Sequence, residues 1–118
     1  MEIYKQMDLI TIQIKIEGLI KALSTSRQSI RRFAKEKAEK VAEYEKDVAK
    51  TILLLQNDQI TMFDDIQISK VTATNVEKIA RGICWKQKME SDLAESNYKA
   101  AIVSIECLKA ELNGYQSI

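Results

Sequence analysis

This sequence predicts an all-α fold, an antiparallel hairpin of long helices pairing as a coiled coil, and three observations carry that reading. The 118 residues contain no proline and only three glycines, so little interrupts a helix. Apolar residues recur at alternating steps of four and three, the seam by which one helix face meets another. With 46% apolar and 30% charged residues, the composition suits long helices with one apolar stripe and one solvated face. At this length a single helical domain over residues 1–118 is the expectation.

The first element is an N-terminal helix over 2–57. Leu9, Ile12, Ile16, Leu19 and Leu23, then Ser26, Ile30 and Phe33, keep helical spacing. Ser24-Thr25-Ser26 can instead cap a separate helix starting at Arg27, so two helices or three stay open. Ile10, Ile12, Ile14 and Ile16 also alternate strictly, as a strand does. The alternative fold is therefore α+β, with a small sheet joining 10–16 to 66–71. From Ala34 the seam is read through Ala38, Val41, Glu45, Val48, Ile52 and Leu55, with Tyr44 the inward neighbour of Glu45. The change of phase after Phe33 reads as a stutter.

A connector spans 58–74, and a C-terminal helix spans 75–113. Thr74 and Glu77 have capping-box spacing for its start, and Asn113-Gly114 is a stop signal. Within it Ala94, Tyr98, Ala101, Ile105, Leu108, Leu112 and Tyr115 form a heptad seam. Trp85, Met89 and Leu93 lie off that seam, as do Ile79, Ile83 and Ile102. A two-helix hairpin leaves such stripes uncovered, which points to a further helix or to a homo-oligomer.

Charge and chemistry narrow the function classes. The net charge is +1 and there is no histidine, which excludes histidine-based metal sites and histidine bases. The sequence has no glycine-rich phosphate loop, nucleophile elbow or metal-ligand spacing, so no catalytic residue, metal or cofactor is assigned and a non-enzyme is expected. Cys84 and Cys107, roughly 34 Å apart along one helix at ~1.5 Å per residue, cannot pair within it and read as reduced thiols. Neither a secretory leader nor a spanning segment is recognisable. The expectation is a cytoplasmic protein that uses neither membrane nor small molecule.

Two constellations remain as binding candidates. Arg27, Arg31 and Lys35 form an i to i+4 row with Arg32 beside it, and residues 27–40 carry six positive and two negative charges. Such a row can track a phosphate backbone, so a nucleic-acid-binding accessory to recombination is one alternative. The other constellation is Gln59-Ile60-Thr61-Met62-Phe63 in the connector. It resembles the short motif by which bacterial replication and repair proteins dock on the DNA sliding clamp: a glutamine, an aliphatic residue, a small or acidic residue, a large aliphatic residue and a phenylalanine. Ile60 and Met62 stand where leucine is commoner, and Thr61 where serine or aspartate is. The resemblance implies that Gln59 hydrogen-bonds at the mouth of a hydrophobic cleft while Met62 and Phe63 fill it. The competing role for Ile60, Met62 and Phe63 is to close the end of the hairpin over Leu54, Leu55 and Val76.

The C-terminal half, SKVTATNVEKIARG through LAESNYKAAIVSIECLKAELNGYQSI, also resembles small helical proteins of bacteriophages and prophages. That likeness implies a replication or recombination neighbourhood rather than an activity. The leading expectation is a macromolecule-binding protein that engages such machinery through Gln59, Ile60, Met62 and Phe63. A purely structural oligomer, or an inhibitor of a host protein, is the third reading.

Overall fold

Gly18 is the sole glycine before residue 57, and no proline follows or precedes it. In the computed structural model, which describes the backbone of residues 2–117 and the side chains of 9–117, a single helix α1 runs over Glu2–Gln56. Two short strands follow, β1 (Met62–Phe63) and β2 (Ile66–Gln67), then helices α2 (Val76–Ile83) and α3 (Trp85–Gln116). The fold is all-α, with the two strands its sole sheet among the described residues.

The isoleucine alternation resolves as helix. Residues two apart are about 200° apart around a helix, so the four side chains divide between opposite faces. Ile12 and Ile16 are half-buried, while Ile10 and Ile14 are 62% and 63% exposed. The alternative sheet joining 10–16 to 66–71 is thereby corrected, since Ile66 and Gln67 pair with Phe63 and Met62 instead. Ser24, Thr25 and Ser26 lie inside the same helix, where the Thr25 hydroxyl donates to the Lys21 carbonyl at 3.2 Å.

By proximity of backbone the chain divides into two units, one of Met1–Ala34 with Asn97–Ile118 and one of Lys35–Ser96. In the first unit Leu23 on α1 and Ile105 on α3 are the buried apolar side chains among the described residues. Around them Leu19, Ile30 and Phe33, and on α3 Tyr98, Leu108 and Leu112, are half-buried. Each set keeps the four-three spacing of its helix.

In the second unit the core comprises Tyr44, Val48, Leu55, Val76, Ala80 and Cys84, with Ile52, Ile60, Ile68, Val71, Ile79 and Ile83 packed against it. α1 and α3 run antiparallel here, since Lys40 meets Glu90 while Thr51 meets Cys84. Burying a leucine or valine fully is worth about 1.5–3 kcal/mol, and residues with little exposed surface supply this unit's stability.

The middle of α1 departs from the sequence reading. Ala38, Val41 and Glu45 are exposed, and the inward positions after Phe33 are Lys37, Lys40 and Tyr44. The four-three phase therefore persists through Tyr44, and the extra step of four falls between Tyr44 and Val48. Lysine occupies the seam because its methylene stem lies along apolar surface while its ammonium reaches water or an acid. Lys40 does so with Glu43 at 3.4 Å and Glu90 at 3.8 Å.

The helix ends also differ from expectation. Thr72 and Asn75 close the turn ahead of α2 reciprocally: the Asn75 N–H donates to the Thr72 hydroxyl at 3.3 Å, and the Thr72 N–H donates to Asn75 Oδ1 at 2.7 Å, while Asn75 holds the N-cap position without a side-chain bond to the helix amides. Thr74 and Glu77 do not act as a box, because Glu77 is taken by Arg81 at 3.0 Å. A single residue, Cys84, separates α2 from α3. Its N–H still donates to the Ala80 carbonyl and its carbonyl still accepts from the Lys88 N–H, both at 3.0 Å, so the inward phase is kept through Ala80, Cys84, Gln87, Ser91 and Ala94. Gly114 does not end α3, which continues to Gln116 without a positive φ at any glycine.

Candidate partner-docking site

The connector is built as a hairpin. After Gln56 the chain reverses through Asp58, whose φ is 55°, with the Gln59 N–H donating to the Leu54 carbonyl at 2.9 Å. Strands β1 and β2 pair antiparallel with Met62 opposite Gln67 and Phe63 opposite Ile66. Asp64 and Asp65 make the two-residue turn at φ 49° and 63°. Positive φ at both central positions matches the right-handed twist of a hairpin, and aspartate tolerates it better than most residues. One more rung holds the base, where the Ile68 N–H donates to the Thr61 carbonyl at 2.8 Å.

This geometry divides the sequence-predicted site. Ile60 packs against the core of the second unit, as do Ile68 and Val71. Gln59 is exposed, Met62 is 56% exposed and Phe63 is half-buried. Ile66, which the sequence reading left out, is 69% exposed directly across from Phe63. The connector is thus anchored by its base and open at its tip. With two strands only, the outer edge of each has unpaired backbone groups.

The hairpin grows from a unit that polar contacts fasten. Arg81 on α2 donates to the Tyr44 hydroxyl of α1 at 3.0 Å, and its guanidinium lies 5.6 Å from that ring's centroid and 3.6 Å from Glu45. The hydrogen bond to Tyr44, then that to Glu77, holds its pKa above the ordinary arginine value. Lys88 on α3 stands over the same ring at 5.5 Å. Its hydrogen bond to Asp92 raises its pKa. Exposed pairs of this kind are individually weak, but here three helices converge on one buried ring. Thr51 and Cys84 close the interior with a 3.4 Å contact between hydroxyl and thiol.

Of the basic row, Arg27, Arg31 and Arg32 are exposed on α1 and enter none of the salt bridges among the described residues. Arg32 lies 5.1 Å from the Phe33 ring centroid, and Lys35 pairs with Glu39 at 3.9 Å. A half-open recess of about 190 Å³ lies among Leu55, Gln56, Asp58, Val71, Thr72 and Ala73, smaller than the roughly 300 Å³ at which small-molecule sites begin. No group of three or more acidic or cysteine side chains among the described residues is placed to hold a metal ion. No helix among them is long and apolar enough to cross a membrane.

Comparison of the chain with protein-family models, curated proteins and solved structures finds no match.

Proposed function

We propose that this chain is a non-enzymatic binding protein whose docking element is the hairpin tip, and that its partner is a DNA sliding clamp of the replication and recombination machinery. The observation that supports the reading is the exposure of Met62 beside the half-exposed Phe63 on a hairpin held by its own backbone pairs. As consecutive residues of β1, Met62 and Phe63 leave the hairpin on opposite faces, so an apolar cleft would take the tip between its walls, and Gln59, exposed just before them, supplies an amide for its rim. In this arrangement Ile60 stays in the core and fixes the hairpin's base. Recognition then needs little ordering of the chain on binding, which keeps the entropic cost low.

The test is retention of the purified chain on an immobilised bacterial sliding clamp, beside a Met62→Ala/Phe63→Ala variant. Specific retention of the wild type and at least a tenfold weaker variant, about 1.4 kcal/mol, is the expected result. Equal retention of both, or of neither, rules the reading out. Because Met62 projects into solvent, circular dichroism of the variant should match that of the wild type.

A second reading rests on Arg27, Arg31 and Arg32, whose positive charges have no carboxylate partner among the described residues. As a nucleic-acid contact they would give affinity that falls steeply with salt. Salt-independent binding in a gel shift would dismiss it.

A further inference from the structure

Between Glu17 and Glu36 the sequence holds no acidic residue, while Lys21, Arg27, Arg31, Arg32 and Lys35 all fall there. The chain's net +1 therefore divides into +5 over residues 18–35 and −4 over the rest. A merely solvated helix face mixes both signs at steps of three and four, as Lys40 with Glu43 and Lys88 with Asp92 do elsewhere. This stretch keeps one sign apart.

Helical geometry places its side chains. At about 100° per residue, Arg27 lies along one margin of an arc of roughly 140°, Lys21 and Arg32 lie along the other, and Ser24, Gln28 and Arg31 lie between them. All six are exposed on α1 within the first unit. The four cations enter none of the salt bridges among the described residues. Leu23, Ser26 and Ile30, buried or half-buried, mark the inward side of α1, whose centre is roughly 135° from the centre of the arc.

We propose that this arc lies in the major groove of double-stranded B-form DNA, an inference that rests on the nucleic-acid reading above and makes it specific. A helix with its side chains is about 10–12 Å across, and that groove is about 12 Å wide. Seated there, Arg27 reaches the phosphates of one strand, and Lys21 and Arg32 reach those of the other. The centre of the arc meets base edges. Arginine pairs with guanine O6 and N7, glutamine pairs with adenine N6 and N7, and serine serves either, which are the residue types that Arg31, Gln28 and Ser24 supply. Ile20, 52% exposed at the N-terminal end of the same arc, suits a thymine methyl.

The same face disfavours other polyanions. Single strands are held by stacking on aromatic side chains, and the arc has none, since Phe33 is half-buried on the inward side. Duplex RNA keeps its bases in a deep, narrow major groove that side chains do not read. An anionic bilayer takes a helix by a broad apolar face, and Ile20 alone is no such face. The arc is separate from the hairpin, so its failure would leave the clamp reading untouched.

Fluorescence anisotropy of the full chain with a short labelled DNA duplex tests the inference. Four phosphate contacts give a slope of about −3.6 in log affinity against log salt, roughly a 10²-fold loss between about 50 and 200 mM. Arg27→Gln/Arg32→Gln should weaken binding and bring the slope to about half, with the helical signal unchanged. Lys46→Gln/Lys50→Gln, the same charge change at exposed positions of α1 outside the stretch, should bind as the wild type does. In the complex, guanine N7 should be protected from methylation while adenine N3 stays open, because the first lies in the major groove and the second in the minor. Tighter binding to single-stranded DNA or duplex RNA, or protection confined to adenine N3, would overturn the groove assignment and leave the nucleic-acid reading standing. Equal losses in the two double variants, or no binding to any nucleic acid with or without retention on phosphatidylglycerol vesicles, would overturn both.

Discussion

Leu53 and Leu55 are the same residue type, two positions apart on one helix, and their truncation should have very unequal consequences. Leu55 is 1% exposed in the core of the second unit, and Leu53 is 60% exposed. Leu55→Ala deletes three buried carbon atoms, about 2.4 kcal/mol at ~0.8 kcal/mol each. Residual cavity adds to this, because Val48 on α1 and Val76 and Ala80 on α2 cannot all close on the gap, so about 3 kcal/mol or somewhat more is expected. Leu53→Ala should stay within about 0.5 kcal/mol of the wild type. Urea unfolding followed by far-ultraviolet circular dichroism measures both, read as a change in midpoint at constant slope. Near-equal losses for the two variants would refute the assignment of the inward phase at the end of α1. Because Ile60 packs on the same cluster, Leu55→Ala should also raise hydrogen exchange at the Ile68 amide, which holds the hairpin's base.

Thr72→Ala should cost about 1 kcal/mol by removing the hydroxyl that accepts from the Asn75 N–H, and Thr74→Ala should cost measurably less; the reverse order in thermal melts would reinstate the box at Thr74 and Glu77. Asp65→Gly should stabilise the hairpin by about 0.5–1 kcal/mol, since its φ of 63° is reached by glycine without a Cβ penalty, and slower exchange of the Ile68 amide is the readout. Tyr44→Phe keeps the ring beneath Arg81 and Lys88 but removes the acceptor of the Arg81 hydrogen bond, so a lower denaturation midpoint is expected; no change in that midpoint would show the bond to be idle. Lys88 should titrate above its ordinary value of 10.5 by nuclear magnetic resonance. A raised folded pKa means that its contribution is complete below the unfolded value and is lost as pH climbs through the folded one. Titration at or below the ordinary value would remove the Asp92 interaction from solution.

The candidate site was half legible beforehand. The apolar character of Ile60, Met62 and Phe63 can be read directly, but which of them is anchor and which is offered depends on a turn of two aspartates. Asp64-Asp65 lacks the glycine that marks most hairpin turns of this kind, so the strand pairing that exposes Met62 and Ile66 has no strong local signal. The Arg81 and Tyr44 contact, spanning 37 positions, has none at all.

By itself the sequence determined that the chain is helical and that α3 presents a seam from Ala94 to Tyr115. Those properties are set by residue type and by spacing within a few turns, over which the α-helix is its own template. Tertiary structure decided what spacing leaves degenerate. Lys37, Lys40 and Tyr44 displace Ala38, Val41 and Glu45 from the inward face because a lysine stem can lie in a seam when its ammonium finds Glu90, a partner 50 residues away. Thr72 rather than Thr74 secures the turn that leads into α2 because Asn75 completes a reciprocal pair there, while Arg81 draws Glu77 off. Helical periodicity is a local property, whereas the choice between two nearly equivalent faces or caps is a difference of a kilocalorie or so, small enough for contacts distant in the chain to settle.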